Sequence, residues 1–290
     1  MISLKEALVR KNRNNNVQEL VYSEVIDFLK RNYKFKLPLK YRNEIEKYIK
    51  FQDGIIDVLC DIEVSNKTIT SLSNNLFKFN TITGNFDCRG CNNLISLEGA
   101  PKAVKGYFNC NRCNNLTSLE GAPKEVNEYF NCSRCNNLTS LEGAPKEVNE
   151  YFDCGGCEKL ESLEGAPKEV KGDFYCDGCE KLKSLEGAPV KVDGSFMCSD
   201  CPNLKSLKGA PKKFTGKFFD CRGCKNLTSL EGGPEKVDGY FNCNRCNNLK
   251  SLEGAPKEVG RDFNCSDCPN LKSLEGAPKV IKGRFIHDDI

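Results

Sequence analysis

Nine cysteine pairs at C-x-x-C spacing hold most of the chemistry this sequence could perform. They are Cys88/Cys91, Cys110/Cys113, Cys132/Cys135, Cys154/Cys157, Cys176/Cys179, Cys198/Cys201, Cys221/Cys224, Cys243/Cys246 and Cys265/Cys268. Consecutive pairs lie 22 residues apart, with a single 23-residue step from Cys198 to Cys221. Three chemistries suit such thiols. As small buried hydrophobes they fill a packed column, with S–H hydrogen bonds in a turn. As thiolates, two neighbouring pairs supply the four sulfurs of a zinc site or an iron–sulfur cluster. As a redox pair, a C-x-x-C needs to open a helix in a βαβ setting to lower a thiol pKa, and no such setting is visible. Packing is the default and metal binding between adjacent coils the alternative. His287, the one histidine, falls in the first-cysteine slot of a tenth unit, but Ile290 in the partner slot is no ligand. One histidine near the end of the chain does not build a catalytic set, and no phosphate-cradling glycine loop is present. The sequence reads as non-enzymatic, with no cofactor expected unless the thiols bind zinc or an iron–sulfur cluster.

The elements that must position these cysteines follow from the period. A repeat of 22 residues denotes a solenoid of stacked coils. In the unit from Val126 to Glu147, Phe130 and Cys132 are two apart and share one face of a strand. Cys135 follows a small polar pair that suits a turn. Leu138 and Leu141 suit a helical turn or an irregular arc facing the same core. Gly143 and Pro145 then break the chain direction. Both cysteines of each pair are expected to point inward. An isolated coil buries too little to fold, so the array must be long. At ~4.8 Å per coil, ten coils make a rod or arc of about 45–50 Å. The extra residue of the long step, at Lys217-Phe218-Phe219-Asp220, is expected to fall inside a strand as a bulge or register shift.

Three regions are expected: a basic helical N-terminal cap over 1–60, degenerate transition coils over 61–85, and the regular repeats with a partial last coil over 86–290. Ser3-Leu4-Lys5-Glu6 has capping-box spacing. Leu20, Val21, Val25, Phe28 and Leu29 recur at helical spacing. A third helix is expected over Tyr41 to Lys50, with a short apolar run, Ile55 to Leu59, leading into the repeats. Residues 1–50 hold twelve Lys/Arg against six acids, about +6, which leaves the remainder about −3 of the total of +3. Such a segment is a solvated helical face or a contact for nucleic acid or an acidic partner. No apolar run approaches the ~18 residues of a membrane span, and the charged start lacks a secretory signal's apolar stretch. The expected setting is a reducing cytoplasm, where free or metal-bound thiols outnumber disulfides.

The repeat resembles a leucine-rich repeat. The motif L-x-x-L-x-L-x-x-N/C-x-L is matched by Phe130-x-Cys132-x-x-Cys135-x-x-Leu138, with Cys135 in the ladder position. The stretch from Cys135 to Leu141 followed by Ala-Pro-x-x-Val looks closest to BspA-like bacterial repeats and is similar to repeats of phage proteins. Leu138 comes one residue later than the motif places it, and Val126 stands four before Phe130 rather than three. The resemblance covers about residues 62–290. It implies an α/β repeat solenoid with one parallel β-sheet and a role in binding proteins or other macromolecules.

The residues flanking the buried Phe should point out of the sheet. One column runs Asn85, Tyr107, Tyr129, Tyr151, Asp173, Ser195, then Tyr240, Asp262 and Arg284. The next runs Asp87, Asn109, Asn131, Asp153, Tyr175, Met197, Asp220, Asn242 and Asn264, with Arg112, Arg134 and Arg245 close by. Rigid tyrosines beside Asn and Arg are typical of recognition surfaces. The expected surface is therefore Tyr107, Asn109, Arg112, Tyr129, Asn131, Arg134, Tyr151 and Asp153, with Tyr240, Asn242 and Arg245, facing a protein partner. The competing reading is a tyrosine ladder that merely stabilises the sheet.

Overall fold

The structure, a computed structural model, describes residues 21–37, 44–214 and 216–289. It is a parallel β-solenoid of about ten turns. Each coil carries a short strand whose Phe faces inward, and these strands pair in register: Phe108, Phe130, Phe152, Phe174 and Phe196 occupy equivalent positions. Parallel stacking of identical side chains lets the rings lie face to face. Neighbouring Phe rings from Phe86 to Phe263 are 5.2–5.6 Å apart and stacked. Phe, both cysteines, both leucines and Val line one continuous core.

A leucine-rich-repeat frame implies one sheet and an α/β coil. The structure differs on both points. The coils carry a second short strand, and in those such as Glu125–Val126 or Glu147–Val148 the Val is buried and the first residue exposed. These second strands form an eight-stranded sheet that ends at Lys191–Val192 and a four-stranded sheet from Lys213–Phe214 to Val280–Ile281. Among the described residues of 86–289 there is no helix. Leu138 and Leu141 reach the core along an irregular arc. It is held by Leu138 N–H donating to the Cys135 carbonyl (2.9 Å) and Leu141 N–H to the Glu164 carbonyl of the next coil (3.2 Å). The corner after the arc requires glycine: Gly143 has φ of 96°, and a Cβ there would sit 2.3 Å from the Leu119 carbonyl oxygen of the preceding coil.

The extra residue of the long step does not disturb the Phe sheet. Phe219 pairs with Phe196 on one side and Phe241 on the other, and Asp220 pairs with Met197 and Asn242. The insertion lies between Phe214, which fills the Val position, and Phe219, where other coils have three intervening residues and this one has four. The cost appears in the second sheet, whose ladder breaks between Val192 and Lys213. Continuity of the Phe column outweighs a pair of two-residue strands.

The N-terminal cap mixes helix and strand. Residues 21–32 are helical, with Val25 and Leu29 buried and Phe28 edge-on to Phe77 at 5.7 Å. Strand Tyr33–Lys36 then pairs antiparallel with Asp61–Val64, the first strand of the Phe sheet. The helix expected over Tyr41 to Lys50 is replaced, in its described part, by a 3-10 turn at Ile45–Tyr48 and a strand, Ile49–Gln52. That strand forms a hairpin with Ile55–Val58, so the short apolar run is a strand as well. Phe77, Phe79 and Tyr33 close the Phe column with edge-on rings, Phe79 meeting Phe86 at 6.0 Å. The Ser3–Glu6 capping box, Leu20 and the basic residues Lys5, Arg10, Lys11, Arg13, Lys40 and Arg42 lie outside the described residues.

Candidate functional site

All eighteen repeat cysteines are buried, and all nineteen cysteines are free thiols. Each pair brackets a tight turn. Where the turn closes fully, as at Cys110 to Cys113, the second Cys N–H donates to the first Cys carbonyl (3.3 Å). That carbonyl also accepts a thiol from the next coil: Cys135 Sγ donates to Cys110 O at 3.2 Å, and the same bond recurs from Cys113 to Cys268 at 3.2–3.4 Å. The second cysteine thus forms a ladder linking one coil to the next. The ladder survives the 23-residue step. Cys224 is fully buried, and its Sγ donates to the Cys198 carbonyl at 3.2 Å. Several first cysteines donate too, as Cys154 does to the Tyr175 carbonyl at 3.3 Å. Burial pushes the thiols of Cys132, Cys154, Cys176 and Cys243 well above their ordinary value, and that of Cys179 up to about 12. These thiols keep their protons: Cys179 spends its proton in the ladder, and Cys154, Cys176 and Cys243 spend theirs on strand carbonyls of the next coil.

The alternative reading of the cysteines made each pair half of a four-sulfur site. The structure does not gather them in that way: among the described residues no three His, Cys, Asp or Glu side chains are grouped so that they could hold a metal ion. The first cysteines, Cys88, Cys110, Cys132, Cys154, Cys176, Cys198, Cys221, Cys243 and Cys265, stack in one column beside the Phe rings. The second cysteines stack in another. Of these Cys113, Cys135, Cys157, Cys179, Cys201, Cys224, Cys246 and Cys268 each turn the thiol to a carbonyl of the preceding coil, and Cys91 stands at the start of that column. The physical reason is register. Identical coils in parallel stacking place like atoms above like atoms, whereas a tetrahedral site needs sulfurs that converge from different directions. Cys221 and Cys224, a candidate ligand pair, illustrate this: Cys221 Sγ donates forward to the Asn242 carbonyl at 3.4 Å, and Cys224 Sγ donates back to Cys198. His287 packs against Phe285 at 4.7 Å and is exposed.

The two outward columns have different roles. In the Asn/Asp column, the side-chain oxygen accepts the N–H two residues on, an Asx turn that starts the cysteine turn. Asn109 caps Asn111, Asn131 caps Ser133, Asp153 caps Gly155 and Asn242 caps Asn244, at 2.9–3.2 Å. Asn109 is almost fully buried. Most of this column therefore shapes the backbone, and its period reflects the turn.

The tyrosine column is a stack. Tyr107, Tyr129 and Tyr151 lie face to face at 4.5 and 4.4 Å, and Tyr175 meets Tyr151 edge-on at 6.0 Å. Their faces are consumed by each other, so the stack offers ring edges and hydroxyls to a partner. Burial and the neighbouring rings raise the Tyr129 pKa, keeping its hydroxyl a donor. That geometry disfavours stacking of nucleobases along the column. Tyr240 stacks at 4.6 Å on Phe218, an exposed ring that the column missed because the 23-residue step hid its place. Arg245 faces Asp267 at 3.8 Å. Tyr240, Asn242 and Arg245 thus form a separate group from the tyrosine stack.

The residue before each second cysteine is left-handed in every coil. Gly90, Arg112, Arg134, Gly156, Gly178, Asp200, Gly223, Arg245 and Asp267 all have φ between 52° and 68°. Side chains here project from the rim of the Phe sheet. Gly156 and Gly178 have none, so a concavity of about 670 Å³ opens beside Arg134. Tyr151, Tyr175, Arg112, Arg134, Asp153 and Asp177 are among its lining residues. The structure thus brings Arg112, Asn131, Arg134, Tyr151 and Asp153 to one groove, with Tyr107 and Tyr129 continuing the stack alongside. Tyr175, Asp177 and Asp200 complete it. Glycines at the left-handed position were the signal that could have located it. Burial raises the carboxyl pKa of Asp153 and of Asp177, against the hydrogen bonds that Gly155 and Ser199 donate to them.

The basic N-terminal segment is balanced where it is described. Lys34 and Lys36 stand opposite Glu63 and Asp61, and Lys50 opposite Asp57, in antiparallel register. Lys30 pairs with Glu46 at 3.1 Å. Among the described residues no helix is long and apolar enough to cross a membrane. No family model matches the chain, and neither a curated protein nor a solved structure does.

Proposed function

We propose that the protein is a non-enzymatic binding or scaffold module built on a β-solenoid, working in a reducing cytoplasm. It captures a protein partner on the Phe-sheet face. The observation that carries this reading is the groove beside Arg134: a concave, rigidly framed surface with tyrosine edges and charged groups of both signs. Rigid aromatic anchors with polar neighbours suit protein recognition, because little side-chain entropy is lost on binding. The inward cysteine ladder supports the same reading, since it commits the thiols to structure and leaves the outer face as the variable surface. Protons held on thiols and shared with carbonyls favour packing over metal ligation. The test is a double variant, Tyr129→Ala with Tyr151→Ala, assayed against the captured and purified partner. Binding should be lost with the far-UV circular dichroism unchanged. Unchanged binding refutes this choice of face.

A further inference from the structure

The left-handed rim position divides the groove by charge. Side chains other than Gly, Asn and Asp rarely adopt positive φ, and a strained residue of this kind is a pointer to function. Four coils show that glycine satisfies the turn. Two adjacent coils nevertheless place arginines there, Arg112 and Arg134 at φ 56°. Among the described residues neither forms an ion pair, whereas Arg89 and Arg222, one position earlier, pair with the aspartates of their own coils. Beyond Arg134 come Gly156 and Gly178, and then Asp200 at φ 52°. Bare glycines leave Asp153 and Asp177 lining the groove. Asp153 accepts from Gly155 N–H and Asn131 Nδ2, and Asp177 from Ser199 N–H and hydroxyl. Among the described residues neither of these aspartates, nor Asp200, has a cation within ion-pair distance; Arg134 and Arg222 act on Asp153 and Asp177 only at longer range. The groove is therefore cationic at one end and anionic at the other, with tyrosine edges between.

Resting on the binding reading above, we propose that the groove takes an extended polypeptide segment bearing an acidic and a basic side chain about four residues apart. The acid would lie against Arg112 and Arg134, and the base against Asp177 and Asp200. The spacing follows from the coils. Arg134 and Asp200 are three coils apart, roughly 14 Å at ~4.8 Å per coil. An extended chain covers that distance in about four residues at ~3.3–3.6 Å each. A purely anionic ligand such as single-stranded RNA would meet the aspartates and be repelled there, and a purely basic peptide would meet the arginines.

The test is selection of a random dodecapeptide display library on the immobilised full chain, followed by fluorescence anisotropy with the selected peptides and with a uridine dodecamer. The expected result is enrichment of one acidic and one basic residue four positions apart. Arg134→Ala should then weaken the selected peptide about tenfold, and Arg134→Lys should restore most of it. The Arg134→Ala effect should vanish when the peptide's acid is replaced by its amide, which shows direct coupling rather than a change in fold. Enriched peptides of one charge sign, no such coupling, or tighter binding of the RNA would overturn the inference. If such peptides still lose binding in the Tyr129→Ala, Tyr151→Ala variant, the binding reading survives without it. No peptide enriched above the bare support overturns both.

Discussion

Replacing Cys135 by serine and by alanine separates the two things a buried thiol can do. Cys135 is buried and donates to the Cys110 carbonyl at 3.2 Å. Alanine removes the sulfur, about 0.8 kcal/mol of buried apolar surface if it counts like a methylene. It also removes the hydrogen bond, about 0.5–1 kcal/mol for a weak donor. With a small unfilled cavity, the loss should be about 1.5–2 kcal/mol. Serine loses the sulfur but keeps a donor at the same acceptor. Its desolvation is offset there, so Cys135→Ser should be no less stable than Cys135→Ala. Cys132 is the internal control. It is equally buried, and among the described residues its thiol donates to no acceptor. A hydroxyl without a partner costs about 1–3 kcal/mol, so Cys132→Ser should be less stable than Cys132→Ala by that amount. The measurement is urea denaturation under reductant, followed by far-UV circular dichroism, with midpoints compared at a common slope. If serine is worse than alanine by the same margin at both positions, the ladder is filler and the thiol–carbonyl bonds contribute nothing.

Two further outcomes follow from the same geometry. The folded state raises the thiol pKa of Cys132, Cys154 and Cys176 well above the ordinary value of 9.0, through burial. The unfolded chain therefore ionises first: the stability is fully present below about pH 9 and is lost as pH rises above it. Each such thiol contributes up to about 1.4 kcal/mol per pH unit, so the urea midpoint should collapse steeply above pH 9, and a flat profile to pH 11 would contradict buried, protonated core thiols. Gly143→Ala should cost more than about 2 kcal/mol, because its Cβ would strike the Leu119 backbone as well as adopt positive φ. Gly54→Ala, at φ 73° with nothing within 4 Å of the added carbon, should cost only about 1 kcal/mol.

The solenoid was legible because its signal is repeated. Phe130 and Cys132 at period two, then Cys135, Leu138 and Leu141, mark the inward positions in coil after coil, and all are buried. The second strands were not legible: Glu147–Val148 is two residues long, too short for any periodicity. The site of the insertion was misplaced because Phe218 and Phe219 offer two registers. The spacing from Phe219 to Cys221 equals that from Phe130 to Cys132, and it is this register that the fold keeps. At the N-terminus, Ile45 and Ile49 at helical spacing masked a hairpin signal a few residues on. Asp53-Gly54, with φ of 50° and 73°, is a two-residue turn whose positive φ values match the twist of paired strands.

The candidate site was half legible for a related reason. A periodic Asn or Asp beside tyrosines has the same appearance whether it recognises a ligand or caps a turn, and sequence gives no means of choosing. The bonds decide: Asn109, Asn131 and Asn242 spend their oxygens on backbone N–H groups. The left-handed rim carries the opposite information. There the backbone asks for glycine, so a departure from glycine needs a reason outside the fold. Arg112, Arg134 and Arg245 depart furthest, because arginine has no local hydrogen bond of the Asn or Asp kind to ease positive φ. Changing Arg134 to Gly should therefore leave stability unchanged or raise it by up to about 1 kcal/mol, while abolishing the charge division of the groove. In a surface built from near-identical coils, positions where the chain accepts strain that its own neighbours avoid are the first at which to test for function.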